Sequence, residues 1–168
     1  VSWSTLSDEA WIDRIALIAP HLESGEPLAA EIAFAELTRA PYGAMRTVKS
    51  TLDASRIRAW VQDPTLASRR SAYLLLLGIA GNPDDAAMLE EWIDQAIATH
   101  DATDLSAMLA ADLELRGPSR VGWIEQAYFA DGGRTVPEID AALLALSVHG
   151  KAGGTVPRAK VVDAYRSF

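Results

Sequence analysis

The chain is organised around RRSAYLLLLGIAGNP, residues Arg69–Pro83. From Tyr73 to Ala80 this run is almost continuously apolar, and Gly81-Asn82-Pro83 stops it. The composition predicts a short helix that must be covered on most sides, since a helix apolar all round is buried. It falls short of the roughly 20 apolar residues that cross a bilayer. Such a helix belongs in the middle of a stack of helices.

Helical patterns continue on both sides. Ser7-Asp8-Glu9 opens a first helix, with Ser7 as N-cap and acids in the first turn. Trp11, Ile15, Ile18, Ala19 and Leu22 share one face of it. Pro27 opens a second helix carrying Leu28, Ile32, Ala35 and Leu37, and Pro41 a third with Met45, Val48 and Leu52. Asp53 caps a further turn bearing Ile57, Trp60 and Val61, and Asp63-Pro64 begins the central helix. Beyond it, Leu89, Trp92, Ile93, Ala96 and Ile97 face one way while Asp84, Glu90, Glu91 and Asp94 face the other. Leu105–Leu115 is again nearly apolar up to Gly117-Pro118. Val121, Ile124, Ala127 and Tyr128 mark the next helix, and Pro137 opens one through Ile139, Leu143 and Leu146. Gly150–Gly154 reads as a loop, and Pro157 opens a last helix with Val161, Val162 and Tyr165. No stretch alternates apolar and polar residues as a strand does.

Seven of the eight prolines stand where a helical pattern begins, the position that tolerates a missing N–H. Pro41, Pro83, Pro118 and Pro157 each follow a more apolar helix and precede a more polar one, at intervals of 42, 35 and 39 residues. Ala35–Met45 and Leu77–Met88 share a layout, the second copy one residue longer. A helix pair repeated at this length predicts an all-α solenoid of stacked hairpins. Leu75-Leu76-Leu77-Gly78-Ile79-Ala80-Gly81-Asn82-Pro83-Asp84-Asp85-Ala86 resembles the inter-helix turn of HEAT-like repeats, especially the short type of phycobilisome-lyase-like proteins. The resemblance is clear over one repeat and approximate over three more, from Pro27 onward. It implies a short right-handed α-solenoid of antiparallel helix pairs, about nine helices in one domain over residues 1–168, with residues 1–25 as a capping helix. That family ranges from enzymes to scaffolds, so fold alone assigns no function.

Charge is unevenly spread over the 168 residues, whose formal net charge is −8. Arg39–Arg70 holds seven basic and two acidic residues, whereas Ser71–Leu115 holds nine acidic and no Lys or Arg. One reading is two solvated helix faces; the other is a dipolar surface that orients a partner. The overall acidity argues against nucleic acid as partner, which wants a basic footprint. Zero cysteines exclude disulfides, a thiolate nucleophile and Cys-ligated metal, and leave the compartment open, cytoplasmic or exported. The first residue is Val, which suggests a piece of a longer or processed chain.

Chemical motifs are sparse. His21, His100 and His149 lie far apart, no HExxH occurs, and the repeated His-Glu dipeptides of HEAT-like di-iron hydroxylases are missing, so neither metal nor cofactor is expected. Gly150-Lys151-Ala152-Gly153-Gly154-Thr155 lacks the order of a phosphate loop, and no GxSxG elbow is present. Asp112 falls on an apolar stripe with Arg116 four residues on, which predicts a partly buried ion pair in preference to a catalytic carboxylate. Trp60, Trp92 and Trp123 sit at helical spacing among aliphatic neighbours and read as core rather than ligand cage. Tyr42, after Pro41, reads as exposed on a repeat edge.

The expected function is non-enzymatic: a protein-interaction or scaffolding module whose surface draws on residues 42–49, 84–95, 119–128 and 158–166. The candidate binding residues are Tyr42, the basic Arg46, Lys49, Arg56, Arg58, Arg69 and Arg70, and the acidic Glu90, Glu91 and Asp94. The partner is another protein or an adjacent domain of the same chain. Two alternatives stand beside it. One is a lyase-like enzyme or small-molecule binder with a concave pocket built on Asp112 with Arg116 or His149. The other is a domain that packs inside a larger protein.

Overall fold

The structure is a computed structural model that describes residues 7–152 and 156–167. Among them the chain is all-α, with ten helices and no strand. They are α1 (Asp8–Ile18), α2 (Pro27–Leu37), α3 (Tyr42–Thr47), α4 (Ala54–Gln62), α5 (Arg70–Ala80), α6 (Pro83–Thr99), α7 (Leu105–Arg116), α8 (Ser119–Ile124), α9 (Val136–Ala152) and α10 (Arg158–Ser167). Two compact units divide them, Val1–Leu52 and Asp53–Phe168.

Local chemistry sets the helix starts. The Ser7 hydroxyl accepts from the Ala10 N–H, and Asp53 Oδ1 from the Ser55 and Arg56 N–H groups. Asn82 and Asp85 form a reciprocal capping box around Pro83: Asn82 Oδ1 accepts from the Asp84 and Asp85 N–H, and Asp85 Oδ2 from the Asn82 N–H. The central helix does not begin at Pro64. A 3₁₀ turn over Pro64–Arg69 comes first, with Leu66 out of helical conformation, and α5 starts at Arg70. Nor is residue 150 in a loop: α9 runs on to Ala152, and the rest of that predicted loop lies outside the described residues.

In the first unit α1 packs on α2 and α3 over Ile15, Leu22, Leu37, Met45 and Val48. The expected face of α2 is displaced. Ala30, Ala33 and Leu37 are buried, while Leu28 and Ile32 are 74% and 55% exposed. The two alanines allow close helix packing, and the larger side chains point away.

In the second unit the hub is α7 rather than α5. Helices α5, α6, α8 and α9 all pack against it, and Leu105 and Ala107–Leu113 are buried. α5 is nonetheless buried along Tyr73, Leu74 and Leu76–Ile79. Small residues explain the preference for α7: Ala107, Ala110 and Ala111 let neighbouring backbones approach. Gly78 answers them from α5, where an added Cβ would stand 2.7 Å from the Ala111 Cα. α9 continues the layer with Ala142, Ala145 and Leu146. After Ile124, α8 widens into a π turn over Glu125–Phe129, which keeps Tyr128 buried.

Candidate functional site

A cleft of about 360 Å³ opens in the second unit where α4 ends, α5 begins, α6 ends and α7 begins. Val61, Ala96 and Met108 are buried apolar residues in its wall, and half-buried Trp92 stands beside them. Gln62, Gln95, Thr99, Asp101 and Thr103 line its exposed parts. The loop between α6 and α7 is bracketed by His100 and Asp104, both left-handed at φ 54° and 55°. Asp is among the few residues that enter this region readily. The turn is held by the Asp101 N–H, which donates to the Ala96 carbonyl at 3.0 Å.

The charged residues of the cleft differ in what engages them. Arg70 Nε donates to the Val61 carbonyl at 3.0 Å, and its Nη1 lies 3.5 Å from Asp104 Oδ2. Ser71 Oγ donates to Asp104 Oδ1. Asp101 accepts from the Thr103 N–H at 2.8 Å, and the Thr103 hydroxyl and N–H hold its carboxyl below the ordinary range. Among the described residues Asp101 has no cationic partner.

The sequence candidates scatter. Tyr42 is not on an exposed edge: it is only 8% exposed, because α3 packs that side on α1. Arg46 lies over the Tyr42 ring, its Cζ 6.0 Å from the centroid, and Lys49 is exposed; both belong to the first unit. In the second unit Arg56 covers Trp60 at 5.2 Å, and Arg58 Nε donates to buried Asp85 at 2.6 Å. Arg69 precedes α5, and only Arg70 reaches the cleft. Glu90 pairs with Arg116 at 2.8 Å and lies 3.6 Å from Arg120. Glu91 and Asp94 are exposed on α6. Trp92 is not wholly core, since one side of it faces the cleft.

Asp112 does form the expected ion pair with Arg116, at 2.8 Å. The stronger partner is Arg120, whose Nε bonds the other carboxylate oxygen while its guanidinium lies 3.7 Å from the centroid of Trp123. Burial pushes the Asp112 carboxyl up, against the pull of both guanidiniums. His149 is buried, with Nε2 2.9 Å from the Ala110 carbonyl and Nδ1 3.5 Å from Glu114. These groups tie α6, α7, α8 and α9 together, and none of Asp112, Arg116 or His149 lines the cleft. A second buried carboxylate, absent from the sequence candidates, is Glu138. Burial opposes its ionisation, yet the Thr135 N–H, His100, the Thr135 hydroxyl and Arg134 together hold it at about 2. Thr135-Val136-Pro137-Glu138 is a capping-box pattern, so this signal was present in the sequence. Asp101, Asp104 and Gln95 carried no comparable signal, because only the α6–α7 turn gathers them.

Among the described residues no group of three or more His, Asp or Glu is placed to hold a metal, and no helix is long and apolar enough to cross a membrane. No family model, curated protein or solved structure matches the chain.

Proposed function

We propose that the chain is a HEAT-like helical-repeat module, a short right-handed solenoid of antiparallel helix pairs that binds a protein partner and performs no reaction itself. One observation carries this reading. α5, α7 and α9 pack on one another in order, α10 packs on α9, and α8 touches α10. Serial packing of this kind, each helix against the next, supports the repeat reading, since repeat proteins gain stability from neighbour-to-neighbour interfaces. The partner is another protein or an adjacent domain of the same chain. The cleft supplies the anchor point, since a half-buried tryptophan beside apolar wall residues is the usual composition of a binding hot spot.

The test is selection of a random peptide library on the immobilised protein, followed by binding of the recovered peptides to variants. Peptides that bind the parent and fail on Trp92→Ala, with helicity unchanged, support the module and its anchor. Loss on Arg46→Glu with Lys49→Glu instead transfers the anchor to the basic segment. A library yielding no peptide sensitive to either change counts against a binding module.

A further inference from the structure

We infer that the cleft accepts a cationic segment of a partner polypeptide, seating an apolar side chain against Trp92, Val61, Ala96 and Met108 with a neighbouring Lys or Arg at Asp101. This rests on the reading of the chain as a binding module. Volume comes first. About 360 Å³ lies at the small end of the roughly 300–1,000 Å³ of ligand pockets, room for one or two side chains. The wall is apolar where it is deepest, at Val61, Ala96 and Met108.

Charge selects the occupant. Arg70, the one cation lining the cleft among the described residues, is already engaged by the Val61 carbonyl and Asp104. Asp101 is ionised, exposed and without a cation among the described residues. Glu91 and Asp94 stand exposed on the same α6 helix, within a stretch of nine acids and no Lys or Arg from Ser71 to Leu115. An acidic peptide meets repulsion from Asp101, with no unengaged guanidinium among the described residues that line the cleft; a basic one meets a complementary charge there that raises its association rate. Orientation has its own handles. The Trp92 indole N–H and the Gln95 amide have no protein partner among the described residues, so both can bond a bound backbone.

Nitrogen-15-labelled protein titrated with short Lys/Leu, Glu/Leu and Lys/Ser peptides tests this. The Trp92 indole and Gln95 amide signals are expected to shift with the Lys/Leu peptide. Lys/Ser should bind about tenfold or more weakly, the worth of one buried apolar side chain. Asp101→Asn keeps the acceptor for the Thr103 N–H and should weaken the Lys/Leu peptide by about two- to fivefold, as for an exposed ion pair. That loss should fade as salt is raised. Equal binding of Glu/Leu and Lys/Leu with Trp92 shifting overturns the cationic assignment and leaves the binding module standing. A Lys/Leu peptide whose shifts miss Trp92 and Gln95 overturns the cleft as its site. Silence from all three peptides, while library-selected peptides still depend on Trp92, overturns only the choice of occupant.

Discussion

Gly78 of α5 lies directly against Ala111 of α7, close enough that a Cβ at residue 78 would stand 2.7 Å from the Ala111 Cα and 3.2 Å from its carbonyl oxygen. Those atoms are backbone and cannot rotate away. The contact sets the spacing of the two most buried helices of the second unit, and so the frame on which the cleft is built.

Gly78→Ala should therefore destabilise the protein, although alanine is the better helix former by about 1 kcal/mol. Overpacking a tight core costs roughly 1–3 kcal/mol, and backbone on backbone belongs near the top of that range. Urea unfolding should show a lower midpoint at unchanged slope. A midpoint equal to or above that of the parent would mean that α5 and α7 do not approach this closely.

Asp112 is fully buried between two guanidiniums of unequal burial, Arg120 being more enclosed than Arg116. Removing one partner of a buried pair leaves a charge uncompensated and costs roughly 3–5 kcal/mol. Arg120→Met should approach this loss, and Arg116→Met should cost less because that side chain is partly solvated. The double variant Asp112→Leu, Arg120→Met should recover much of the Arg120→Met loss. Additive losses in this cycle would show that the pair is not coupled.

Glu138 makes stability depend on acid. Its carboxyl is held at about 2 in the fold, below the 4.5 of an unperturbed glutamate. A depressed folded value contributes stability that is fully present above the unfolded value and lost as pH falls through the folded one. The parent should lose stability relative to Glu138→Gln between about pH 5 and pH 2, with the gap constant from pH 5 to 7. Urea midpoints at several pH values measure it. A gap that stays constant down to pH 2 would remove Glu138 from the acid response.

Asn82 caps α6 through two backbone N–H groups, at 2.9 and 3.3 Å. Asn82→Ala should cost about 0.5–2 kcal/mol. Gly81→Ala should cost at least as much, since its Cβ would meet the Leu77 carbonyl at 2.5 Å and Asp85 Oδ2 at 2.9 Å. Thermal melts of the two variants compare them directly, and a harmless Gly81→Ala would contradict that approach.

Much of the secondary structure was readable because its signals are local. Ser7, Asp53 and Asn82 cap the helices they precede, and Pro27 and Pro83 occupy first positions. The Asp112–Arg116 pair followed from a spacing of four. Side-chain size outranks hydrophobicity in α2: Leu28 and Ile32 are more apolar than Ala30 and Ala33, yet the alanines face inward. Arg120 reaches Asp112 across Gly117-Pro118, a turn whose geometry no spacing rule supplies.

By itself the sequence determined that the chain is helical, where most of its helices start, and that its charge divides into a basic and an acidic stretch. Capping groups, proline and helical periodicity act within a few residues, so they are legible along one dimension. Only the tertiary structure decided that α7 is the hub, that Arg70 is spoken for by Val61 and Asp104, and that Trp92 and Asp101 share a cleft. Those outcomes depend on how closely helix backbones approach across small residues such as Gly78, Ala111 and Ala142, and on which charges the packing then leaves without a partner.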